Sequence, residues 1–243
     1  MALGKWHVAL LGLLDLSAAF DTVNHDVLPK QLKVSFGVCS TPFKWMKSYV
    51  VGRTQTVIVN RSKSSMVKLS CCIPQGSLLE PSLFVLYTKD ISAIIRPHGL
   101  WNHCYANDTK VYFHCKHEEV NSLNLIFSAC IDDLCGWIQS NRLKLNADKT
   151  ECVWVTTRQQ QSTFTAFSLT VGWSVIVPSK RARNLGVFFG SKLDLKSHIS
   201  NICRTCYFQL RQLRTVRRSQ QPEILMTLLH ALVSCRLDYC NSL

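Results

Sequence analysis

A chain of 243 residues, 47% hydrophobic and 18% charged, can bury a core as one large domain or two small ones, and this composition excludes disorder over most of its length. Twenty-eight Lys and Arg against 15 Asp and Glu leave a net charge of +13, which favours nucleic acid or another anionic surface as partner. The 12 cysteines do not form a disulfide framework and read as reduced thiols of an intracellular protein; Cys203 and Cys206 make the one C-x-x-C pair, and nothing among His230, Cys235 and Cys240 matches it at structural-zinc spacing.

The first element is the apolar run from Val8 to Leu16. With Lys5 before it and small residues after it, the run resembles a short signal peptide, but a buried central strand ending at Asp15 explains it better. A turn and a helical segment follow, with Leu28 and Leu32 spaced for one face. The next stretch reads as a helix and then a hairpin, its strand the β-branched run Thr54 to Val59 and its turn the six residues from Asn60 to Ser65. From Pro74 a loop opens into one long buried helix, with Pro81 tolerated in its first turn. His103 to Phe113 reads as two strands around a tight turn with Asn107 and Asp108 at its tip, because both residue types tolerate positive φ.

An amphipathic helix is expected from Glu118 to Ser140, with Val120, Leu123, Phe127, Cys130, Leu134 and Trp137 along one face. Arg142 to Thr156 reads as strand, turn, strand, and the polar tract Thr156 to Thr165 as the only linker-like segment. A small hairpin is expected from Asn184, then a basic helix from Lys196 with Ile199, Ile202, Cys206, Leu210 and Leu213 as its apolar seam. Strands and helices interleave without βαβ regularity, which argues for an α+β fold with helices on one face of a sheet. No stretch reaches the ~20 apolar residues of a membrane span.

Placing the first strand beside the 103–113 hairpin brings Asp15 to Asn107 and Asp108. Phosphoryl transfer needs such a carboxylate cluster, in which two Mg2+ ions about 4 Å apart hold the attacking and leaving oxygens. Six ordered blocks carry a resemblance over nearly the whole chain: LLDLSAAFDTVNHDVL, IPQGSLLEPSLFVLYTKDI, HCYANDTKVY, NRLKLNADKTE, NLGVFF and SCRLDYCNSL. Together they resemble the reverse transcriptase of jockey-like non-LTR retrotransposons, the long interspersed elements.

That resemblance implies a polymerase palm with an antiparallel sheet over residues 1–178. It implies a primer-grip hairpin and a basic, mainly helical thumb over 179–243. Asp15, Asp108 and the Leu16 carbonyl would bind the catalytic Mg2+ ions, with Asn107 at the degenerate catalytic position. Phe20 would gate the nucleotide's 2′ position, Gln75 and Gly76 would cradle template and incoming dNTP, and Lys149 would lie near the triphosphate. Leu185 and Gly186 would begin the primer grip. Arg204, Arg211, Arg214 and Arg218 would contact the phosphates of an RNA template and DNA primer; ten Lys and Arg lie between Lys180 and Arg218 against one acid, Asp194.

Departures from the pattern set the expected activity. The family's Tyr-Ala-Asp-Asp is Tyr105-Ala106-Asn107-Asp108 here, so the first aspartate has lost its charge. The glycine before the Pro-Gln-Gly step is replaced, by Cys72 and Ile73, and a helix glycine is Glu80. The upstream fingers strands and the endonuclease of intact elements are expected to be absent, and the last block to end mid-motif. The expectation is an impaired polymerase domain; the alternatives are a non-catalytic nucleic-acid-binding remnant, or a retroelement fragment with no stable fold.

Overall fold

The computed structural model describes residues 7–156, 168–171 and 174–240. The chain divides into two units, Met1–Cys152 with Thr163–Pro178, and Val153–Ser162 with Ser179–Leu243. Most of the linker-like tract lies outside the described residues.

The first unit is built on the earliest apolar run. Strand β1 (His7–Leu14) is sheltered by its neighbours, with Val8, Leu10 and Leu14 buried, and this is why the run is almost continuously apolar. Helix α1 (Val27–Val34) buries Leu28 and Leu32 as their spacing requires, and α2 (Ser40–Val50) follows it. The expected hairpin is a pair of two-residue ladders. Strand β2 (Thr54–Gln55) pairs with β5 (Val67–Lys68), and β3 (Ile58–Val59) with β4 (Ser62–Lys63). The expected six-residue turn shrinks to Asn60 and Arg61, at φ of 49° and 67°. Both central residues at positive φ match the twist of a two-residue hairpin.

The single long helix expected after Pro74 is two short ones, α3 (Glu80–Tyr87) and α4 (Ile91–Ile95). The Thr88 hydroxyl donates to the Phe84 carbonyl at 2.9 Å, and the backbone leaves helical geometry at Thr88. Threonine bonding back to the preceding turn competes with the next helical bond. Strands β6 (Trp101–Tyr105) and β7 (Asp108–Lys116) form the hairpin, and α5 (Val120–Ser140) returns with Leu123, Phe127, Cys130, Ile131, Leu134 and Ile138 buried. Trp137 is only partly buried, because Ile138 takes the inward position. Strand β8 (Glu151–Val155) is the fourth of a sheet of order β6-β7-β1-β8, in which β6, β7 and β1 pair antiparallel. The strand expected before it is a single bridge, Leu145 to Leu16. The short pair β9 (Leu169–Val171) and β10 (Ser174–Ile176) ends the unit.

In the second unit β11 (Arg181–Asn184) and β12 (Val187–Gly190) pair around Leu185 and Gly186. Helix α6 (Lys196–Val216) packs on β12, and α7 (Pro222–Leu229), a π-helical turn (His230–Ser234) and α8 (Cys235–Asp238) pack against it. The expected seam of α6 is not a buried one: Ile199 is 58% and Leu210 40% exposed, and only His198 and Cys206 on this helix are buried.

Candidate active site

Register fixes the centre of the site. All eight residues of β1 pair antiparallel with β7, from His7 opposite Lys116 to Leu14 opposite Thr109. Asp15 is the next residue of the first strand and Asp108 begins the second, so the ladder delivers both carboxylates to one end of the sheet. The hairpin tip differs from the sequence expectation. Tyr105 pairs with Asp108, which leaves Ala106 and Asn107 as the turn, and it is Ala106 that takes the positive φ, 52°. The two-residue loop is set by the register, so the strain falls on a residue type that does not favour it.

Asp15 is held by nitrogen donors. The Asn107 amide donates to its Oδ1 at 3.1 Å and the Asn146 amide to its Oδ2 at 3.4 Å, with the Lys149 ammonium 3.5 Å from Oδ2. The backbone closes the same corner: Asn146 N–H donates to the Asp15 carbonyl at 2.8 Å, and Ser17 N–H to the Lys144 carbonyl at 2.8 Å. The chain therefore brings Asp15, Leu16, Asn107, Asp108 and Lys149 together. Sequence reasoning missed Asn146, although it lies three residues before Lys149 in the same turn. A cavity of about 520 Å³ meets this corner through Ser17 and Asn146, with Ile138, Leu145 and Val171 among its other walls.

Burial raises the Asp108 carboxyl above its ordinary value, and the neighbouring Asp15 charge raises it further, against opposing pulls from Lys110 and Lys149. The folded chain thus binds this proton more tightly than the unfolded chain, and stability falls as pH rises from about 3.8 through the raised value. Asp108→Asn removes the effect. Its melting temperature is expected to exceed that of the unmodified chain at neutral pH, with the gap closing as the pH approaches about 3.5.

The remaining expected residues fall on adjoining segments. Ser70–Ile73 runs along Phe20–His25: His25 N–H donates to the Ser70 carbonyl, Cys72 N–H to Val23 and Ile73 N–H to Phe20, all within 3.0 Å. The Phe20 ring packs edge-on against Phe84 with centroids 5.0 Å apart. The exposed Gln75 side chain donates to Asp21 Oδ1 at 2.8 Å. Gly76, at φ 74°, donates its N–H to Glu80 Oε2 at 2.6 Å. In the second unit, Leu185 and Gly186 turn the hairpin at φ 46° and 85°, and the Tyr239 hydroxyl donates to the Leu185 carbonyl at 2.6 Å. Arg204, Arg211, Arg214 and Arg218 are all exposed.

Cys72 stands where the resemblance places a glycine, and its φ is 92°. A side chain in this region costs ~1–2 kcal/mol. Cys72→Gly is expected to stabilise the chain by about 1 kcal/mol, a rise of roughly 2–4 °C in thermal midpoint. A lower midpoint would show that the thiol contributes more than the strain removes.

Among the described residues, no three His, Cys, Asp or Glu side chains converge as a metal-binding group. Asp15 and Asp108 are close enough for one charge to raise the other's carboxyl, and the Asn107 amide beside them points its N–H at Asp15. No described helix is long and apolar enough to cross a membrane.

The fold is one that solved telomerase structures share. It is similar to telomerase from Candida tropicalis in complex with a fragment of telomeric RNA, at TM-score 0.57 and 12% identity, covering 98% of this chain and 39% of that one. It is also similar to a truncated apo telomerase of the same organism, at TM-score 0.53 and 14% identity over 78% of this chain and 35% of that one. Residues 5–189 match the reverse transcriptase (RNA-dependent DNA polymerase) family, and the chain belongs to that family.

Its relatives come from mobile elements. The chain is 29% identical over 210 residues to a probable RNA-directed DNA polymerase from transposon BS of Drosophila melanogaster, covering 83% of the chain. It is 27% identical over 199 residues, 80% of the chain, to the RNA-directed DNA polymerase from mobile element jockey of the same fly. The chain spans about a fifth of the length of these relatives, 22% and 21%.

Proposed function

We propose that this chain is the palm and part of the thumb of a non-LTR retroelement reverse transcriptase whose nucleotidyl-transfer site is impaired. Residues 1–178 form the palm and residues 179–243 the primer-grip hairpin and thumb, acting on an RNA template, a DNA primer and dNTPs. The observation that carries the reading is the β1–β7 ladder, which sets Asp15 beside the Asn107–Asp108 turn. Asp15, Asp108 and the Leu16 carbonyl would hold one Mg2+ ion, which neutralises phosphate charge at the reacting centre. A second ion lacks its carboxylate.

The chain's own residues define what remains. Lys149 is exposed and lies beside Asp15, placed to meet a triphosphate once Asp15 is shared with a cation. Phe20 is anchored by its edge-on contact with Phe84. Against these, the Glu80 carboxylate occupies the Gly76 N–H and sets a negative charge in the loop proposed to cradle the nucleotide. Primer extension on poly(rA)–oligo(dT) with Mg2+ or Mn2+ tests the reading, and trace extension or none is expected. Robust Mg2+-dependent extension would refute the impairment.

Arg204, Arg211 and Arg214 on α6, with Arg218 just beyond its end, supply the duplex contact in this reading. Replacing Arg204, Arg211, Arg214 and Arg218 by Gln is expected to weaken RNA–DNA duplex binding. Each lost phosphate contact should lower the log–log salt slope by roughly 0.9. Unchanged affinity and slope would leave the face as solvated surface. Duplex binding without extension, persisting in Asn107→Asp, would select the non-catalytic alternative.

A further inference from the structure

The longest acid-free stretch of the chain lies mostly outside the site described above. No Asp or Glu occurs between Asp26 and Glu80, while eight Lys and Arg do. Lys44, Lys47, Arg61, Lys63 and Lys68, on α2 and on the β2–β5 ribbon, are exposed. None of them takes part in the ion pairs found among the described residues.

Two further features lie between these charges. On α2, Trp45 and Tyr49 stack with centroids 6.2 Å apart and planes 20° apart, and Trp45 is 55% exposed. The ribbon pairs only with itself and leaves Ile58, Val59 and Val67 at least 59% exposed. A bare apolar ribbon ringed by one sign of charge marks a contact surface.

We propose that α2 and the β2–β5 ribbon bind a single-stranded nucleic acid, in addition to the duplex contact assigned to α6. The proposal rests on the reading that the chain handles nucleic acid. The charge is complementary to a polyphosphate, and no acidic side chain of the stretch opposes it. The Trp45–Tyr49 platform chooses between strand states, because the bases of a duplex are already stacked on one another, whereas an unpaired base is free to lie on an exposed ring. Lys44 precedes Trp45 on α2 and Lys47 lies between Trp45 and Tyr49 in sequence, and both are exposed.

The test uses the full chain, a fluorescein-labelled 15-nucleotide oligouridylate and a blunt RNA–DNA duplex, with anisotropy followed across salt. One variant combines Trp45→Ala with Tyr49→Ala; the other combines Arg61→Gln, Lys63→Gln and Lys68→Gln. All three of the latter side chains are exposed, so this variant retains the fold, which a thermal melt verifies. The aromatic variant is expected to lose about tenfold in oligouridylate affinity and little in duplex affinity. The charge variant is expected to lower the oligouridylate salt slope by about 2, at roughly 0.7 per contact. Oligouridylate binding unchanged in both variants overturns the proposal, as does capture by phosphatidylserine vesicles without oligouridylate binding. Failure of the unmodified chain to bind the duplex as well would instead overturn the nucleic-acid reading on which this one rests.

Discussion

Asn107→Asp is expected to tighten Mn2+ and Mg2+ binding by at least tenfold. A unit charge restored ~4 Å from a partner is worth about 4 kcal/mol at an effective dielectric of 20, so about a thousandfold is the ceiling. Without metal the same change should destabilise the chain at neutral pH, because the amide that donates to Asp15 becomes a second carboxylate facing it. Divalent metal should therefore raise the melting temperature of the variant far more than that of the unmodified chain. Extension is expected to rise much less than metal affinity, since Glu80 still places its charge at the Gly76 N–H. Adding Glu80→Gly should release part of that difference. Calorimetric Mn2+ titration of the two chains decides the first point, and unchanged affinity would mean that Asn107 does not stand at a ligand position.

Phe127→Ala is expected to be the most damaging core substitution, at about 3–5 kcal/mol out of the ~5–15 kcal/mol that holds a typical domain folded. Phe127 is fully buried on α5 and its ring tip reaches the backbone of β1 at Gly12. A Cβ added at Gly12 would lie 2.7 Å from Phe127 Cζ. Gly12→Ala alone should thus cost ~1–3 kcal/mol by overpacking. The double variant should be less damaged than the sum of the two, because the new methyl fills part of the space the ring leaves. Urea denaturation of the four chains measures this; simple additivity would show that the ring and the glycine do not share one space.

What the sequence made legible follows from how locally each feature is encoded. The run at β1 and the helical spacing of Leu123, Phe127, Cys130 and Leu134 are apolar patterns, and both elements form where the pattern lies. The break between α3 and α4 carries no Gly or Pro, so Thr88 gave no warning. The α6 seam has helical period, yet periodicity states only that a face is apolar and not that anything covers it. At the site, pairing β1 with the hairpin was enough to bring Asp15 to Asn107. Lys149 was expected near the site from the resemblance, whereas the Asn146 donor was not legible, because the strand expected before that turn is only the one-residue Leu145–Leu16 bridge.

The β1–β7 ladder also sets the order in which the protein can be made. His7 meets Lys116, so the most apolar strand leaves the ribosome with about a hundred residues still to come before its partner exists. Its other neighbour, β8, arrives later still, together with Asn146 and Lys149. Throughout that interval HVALLGLL is an unpaired, uncharged apolar strand, the kind of segment that aggregates or recruits a holding chaperone. Asp15 meets its amide and ammonium partners only at the end of this wait, so the corner around it is among the last parts of the first unit to be assembled.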